Sequence, residues 1–118
     1  MTWQAKRTTH YISGRFTDDE PTLSVENPAT GEELARVADA DSPTAMACLD
    51  AAVDAAAGWA ATEPRFRGEL LRAAWARILE RADEFAETMT LEMGKPLAEA
   101  RGEVTYGAEF LRWFAEET

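Results

Sequence analysis

A chain of 118 residues with 46% hydrophobic and 9% aromatic content is long enough for one domain or part of one, and too apolar for disorder. Twenty-two Asp and Glu against 12 Lys and Arg leave a net charge of −10, and the arginines at 65, 67, 72, 77 and 81 are interleaved with acids. That excludes nucleic acid as a partner, because such binding needs a clustered basic face to displace counterions. No run of 18 apolar residues offers a transmembrane helix, and "MTWQAKRTTHYISG" lacks the apolar stretch of a secretory signal. A single cysteine makes no internal disulfide, so a cytoplasmic protein with no membrane partner is expected.

The first forty residues carry strand patterning. "HYISGRF" places β-formers around Gly14 and predicts a short hairpin. "TLSVEN" and "ELARVAD" alternate apolar with polar residues on either side of the turn residues Pro28–Gly31, which predicts a second hairpin. The acidic "DDEP" at 18–21 is read as the loop between the two.

From Asp41 the apolar period changes from 2 to 3.6. Ser42 is suited to capping and Pro43 to the first helical position, and Met46, Leu49, Val53, Ala56 and Ala60 share a face of a helix near 43–60. Pro64 heads a second helix to about Arg81, striped by Leu70, Leu71, Ala74, Ile78 and Leu79. A third, near 83–93, presents Phe85, Met89 and Met93. Gly94 then allows a left-handed turn, and Pro96 opens a fourth helix striped by Val104, Ala108, Leu111 and Ala115.

Little in the chain carries chemistry. Cys48 lies inside an alanine-rich helix near Asp50 and Asp54, without the base or electropositive setting a nucleophile requires, and is expected to pack as a small hydrophobe. His10 has no second ligand at metal spacing and is read as a surface strand residue. Glu92, Glu99 and Glu103 surround the Gly94–Pro96 break. They are either a solvated face or, for Glu92, one oxygen ligand of a hard cation. Tyr106, Phe110, Trp113 and Phe114 give the last helix aromatics on more than one face, as core and interface or as the lining of an apolar passage. No G-x-G-x-x-G, no Walker loop and no Ser-His-acid or Cys-His set can be found.

The stretches "YISGRF", "SVENPATGEELARVADAD" and "LEMGKPLAEARGEVTYGAEFLRWFAEE" resemble the aldehyde dehydrogenase superfamily, and within it the NAD(P)-dependent succinate-semialdehyde dehydrogenase branch. The resemblance runs from about Tyr11 to Glu117 and implies the N-terminal part of a much longer α/β enzyme. The expected fold is mainly α with short N-terminal β-hairpins, a hairpin segment over 1–40 and a four-helix segment over 41–118. The latter resembles the front of the cofactor-binding domain without its parallel Rossmann-like sheet. By the same resemblance the catalytic cysteine and glutamate, the oxyanion donor and the loop for NAD or NADP lie beyond Thr118. Cys48 is then not the nucleophile, and the chain alone binds no cofactor. Two features do map. A monovalent cation is implied at Glu92 with the carbonyls of Val25 and Glu26, and the mouth of the aldehyde tunnel at Tyr106 and Phe110. The implied partner is the remainder of an aldehyde dehydrogenase chain, or further copies in a homo-oligomer. The alternative is a free-standing helical interaction module that pairs with full-length relatives.

Overall fold

The computed structural model describes residues 3–5, 7–17 and 21–118, so residues 18–20 of the expected acidic loop lie outside the described residues. Two compact units divide after Ala61.

The first unit holds two antiparallel ribbons and one helix. β1 (Tyr11–Ile12) pairs with β2 (Arg15–Phe16), with Tyr11 opposite Phe16. Their turn is Ser13–Gly14, at φ of 49° and 79°; both residues are left-handed, the geometry that matches the twist of a two-residue hairpin. β3 (Thr22–Glu26) pairs with β4 (Glu33–Ala38) from Thr22 opposite Ala38 to Glu26 opposite Glu33. The register slips between Val25 and Glu26, where β4 advances two residues for one on β3, a bulge that interrupts the ladder. Asn27 makes the turn: its Oδ1 accepts from the Ala29 amide at 2.9 Å, and its carbonyl accepts from Gly31 N at 2.7 Å. Gly31 sits at φ 73°.

α1 (Ser42–Ala60) starts one residue earlier than expected. Asp41, not Ser42, is the cap: its Oδ1 accepts from Thr44 N at 2.8 Å, and Ser42 becomes the first helical residue. Interaction with Thr44, through the side chain and then the amide, lowers the Asp41 pKa. None of the residues of α1 is buried.

The second unit is three helices: α2 (Pro64–Glu80), α3 (Ala82–Met93) and α4 (Leu97–Glu116). α3 ends as the sequence predicts, on Gly94 at φ 77° with its amide bonded to the Thr90 carbonyl. Pro96 is the cap of α4 and Leu97 its first residue, so the proline sits one position outside the helix it was expected to open. α4 packs along both of its neighbours. The core is made of Ala86, Ala100 and Val104, with Ile78, Ala82 and Met89 against them, and Ala108 and Ala115 are buried further along α4.

The expected stripe on α4 is therefore right, with Leu111 half-buried. On α3 it is not. Ala86 is fully buried whereas Phe85 and Met93 face solvent, because close approach of α3 and α4 admits a methyl group and no ring. On α2 only Leu71 and Ile78 of the expected stripe are even half-buried.

Gly68, the one buried residue of α2, marks where α4 comes closest. A Cβ there would lie 2.8 Å from the Ala115 carbonyl oxygen and 2.8 Å from Thr118 Oγ1. Gly68→Ala gains about 0.5–1 kcal/mol of helix preference but meets overpacking worth about 1–3 kcal/mol. The backbone carbonyl cannot swing aside, so the clash wins. The variant should unfold at lower denaturant, by about 1 kcal/mol, with an unchanged m-value.

Candidate functional site

α4 exposes four aromatic side chains, Tyr106, Phe110, Trp113 and Phe114. Tyr106 and Phe110, one turn apart, meet edge to face with ring centroids 5.2 Å apart. With Glu109, Arg112, Trp113 and Phe114 they line a shallow depression of about 430 Å³. Tyr106 is 69% exposed and Trp113 60%, so these aromatics supply no core within the described residues. Glu109 and Arg112 form an ion pair at 2.7 Å along the same helix.

The residues expected to hold a cation lie in different units. Val25 is half-buried and Glu26 exposed, at the bulge of β3, in the first unit; Glu92 is exposed near the end of α3, in the second. Among the described residues no group of three or more His, Cys, Asp or Glu side chains gathers as a metal site. A cation at Glu92 would rely on main-chain oxygens for the rest of its ligands.

Cys48 is exposed, which corrects the expectation that it packs inside. Its helical neighbours four residues away are Thr44 and Ala52, neither able to take its proton. His10 is also corrected. It precedes β1, and its Nε2 is buried without a hydrogen-bond partner among the described residues, as is the hydroxyl of Thr17 on the opposite side of the hairpin.

A nicotinamide dinucleotide finds no pyrophosphate cradle of the ordinary kind among the described residues. Its pyrophosphate is ordinarily held by free amides at a helix N-terminus after a glycine-rich turn. All four helices instead begin with a carboxylate in the cap or first turn: Asp41, Glu63, Asp83 with Glu84, and Glu99. The described strands form antiparallel ribbons only. No helix of the described residues is long and apolar enough to cross a membrane.

These elements, in this order, are also found elsewhere. The aldehyde dehydrogenase family profile matches residues 16–118. The chain belongs to the aldehyde dehydrogenase family. Among curated aldehyde dehydrogenases, a succinate-semialdehyde dehydrogenase of Paenarthrobacter nicotinovorans is 61% identical over 85 residues, covering 72% of this chain and 19% of the relative. A glutarate-semialdehyde dehydrogenase of Pseudomonas putida is 40% identical over 109 residues, covering 91% of this chain and 23% of the relative. Among solved structures, an NADP-dependent enzyme of Escherichia coli superposes with a TM-score of 0.90 at 40% identity, over 94% of this chain and 24% of that one. The chain thus spans about a fifth of the length of the aldehyde dehydrogenases it matches and corresponds to an N-terminal portion of them. Its antiparallel hairpins and four helices are the fold expected of that portion.

Proposed function

We propose that this segment serves an aldehyde dehydrogenase that oxidises succinic semialdehyde to the acid with NAD or NADP as acceptor. The observation that carries the reading is the 61% identity over 85 residues to a succinate-semialdehyde dehydrogenase. Counted by correspondence rather than by compactness, residues 1–40 are the hairpin segment and 41–118 the front of the cofactor-binding domain. Thiol, acid and cofactor loop are supplied from outside these residues. The segment contributes the aromatic pair Tyr106 and Phe110 at the mouth of the aldehyde tunnel, and the carboxylate of Glu92. Glu92 shares a monovalent cation with the carbonyls of Val25 and Glu26, an all-oxygen set suited to a hard ion. The assembled protein works in the cytoplasm, as a homo-oligomer.

Two measurements on the enzyme that carries this segment test the proposal. Succinic semialdehyde should give a higher kcat/KM than betaine aldehyde or a long aliphatic aldehyde, and the reverse order would sink the substrate assignment. Sodium or potassium should raise the melting temperature of the wild type and have less effect on Glu92→Gln. An equal response in both would remove Glu92 from the site. Sequencing downstream of the Thr118 codon separates this reading from a free-standing module, which would show a stop and an isolated gene.

A further inference from the structure

The corner between α3 and α4 is joined by only three residues, Gly94, Lys95 and Pro96. Gly94 adopts a left-handed conformation open to few other residues, and α4 starts without any side-chain cap. Lys95 occupies the middle of the corner. Its side chain is only 17% exposed, so the alkyl stem lies against protein while the ammonium reaches the Glu103 carboxylate, two turns into α4. Glu92, three residues back, would be the nearer partner in sequence. The charge is sent forward along α4 instead. A second pair, Arg101 to Asp83 at 2.8 Å, ties the same stretch of α4 to the start of α3. Both its side chains are more than half exposed, so it adds little.

We propose that Lys95 is a brace: its pairing with Glu103 fixes the direction in which α4 leaves the Gly94 corner, and with it the position of the Tyr106–Phe110 face. Three features support this: a covered stem, a charge paired with Glu103, and a span across the Gly94 corner. The ordinary exposed pairs of this chain lack that combination. Arg77 and Glu80, for example, are three residues apart on one helix, with side chains 77% and 61% exposed. The brace acts on the geometry of the segment and does not depend on which aldehyde the enzyme takes.

Amide hydrogen exchange on the enzyme that carries this segment tests it. Lys95→Met keeps the stem and removes the charge, and Glu103→Gln keeps the shape of the partner. Each should speed exchange of the amides from Gly94 to Glu103 about five- to tenfold, while Arg77→Met leaves them within about twofold. The double variant Lys95→Met with Glu103→Gln should match the singles, and Lys95→Glu with Glu103→Lys should recover part of the protection. Additive effects in the double variant, exchange at the corner unchanged in the singles, or acceleration spread evenly over α2 would each overturn the proposal. Should Lys95→Met not fold, Glu103→Gln, nearly isosteric, carries the same test.

Discussion

Purified by itself, the chain should bind a hydrophobic dye strongly and self-associate with rising concentration. The reason lies in where its large side chains are. The described residues that are buried and apolar are four alanines and a valine, and no large side chain is fully enclosed. Met46, Leu49 and Val53 form a stripe on α1 that is 54–63% exposed, and Phe110, Trp113 and Phe114 form another on α4. Burying such a side chain completely stabilises by about 1.5–3 kcal/mol, so with roughly half of each in water every one leaves on the order of 1 kcal/mol unrealised. Contiguous apolar stripes of this kind are uncommon on a free monomer and mark a surface that another element covers. In a longer aldehyde dehydrogenase the rest of the chain is available to do so; alone, dye or a second copy takes its place. Sedimentation velocity and dye fluorescence read the two outcomes. A monodisperse monomer with no dye signal at high concentration would mean that these stripes are stable in water as they stand.

Most of the local structure could be read from single residues. Gly14, the stretch Pro28–Gly31 and Gly94 each mark a turn, and the helices follow from the 3.6-residue apolar period. Burial was harder to foresee. Periodicity assigns a face to Met46, Leu49 and Val53, but says nothing of whether that face meets anything inside the same chain. On α3 the spacing of Phe85, Met89 and Met93 pointed to large side chains, yet the helix approaches α4 through Ala86. The signal for this was a small residue on each helix, Gly68, Ala86 and Ala100, at the close contacts. Cys48 is exposed although a free cysteine without an activating base ordinarily packs as a small hydrophobe, because α1 has no covered face within the described residues. The cap of α1 was misplaced by one residue because Asp, Ser and Pro in succession each suit the start of a helix. The candidate site was legible only as a set of aromatics on the last helix and a carboxylate beside the Gly94–Pro96 break. Their roles came from resemblance, since neither Tyr106 nor Glu92 stands beside a group that would name its chemistry.

The central claim, that these residues are one interchangeable portion of an aldehyde dehydrogenase and no catalyst alone, is open to one direct measurement. Oxidising an aldehyde requires a thiolate at the carbonyl, donors for the resulting oxyanion and a bound acceptor for hydride. The exposed Cys48 has no base beside it at helical spacing, and the carboxylate-bearing helix starts suit no pyrophosphate. The assay is therefore NAD(P)H formation from succinic semialdehyde by three proteins. One is the 118-residue chain, and one is the Paenarthrobacter enzyme with its matching segment replaced by this chain. The last is the same enzyme carrying the E. coli segment as a control for the exchange itself. The chain alone should form no product at any concentration, and the hybrid should keep kcat/KM within about tenfold of the unaltered enzyme, a loss of about 1.4 kcal/mol or less. Aldehyde-dependent reduction by the isolated chain, or a hybrid that is inactive while the E. coli control works, would contradict the account.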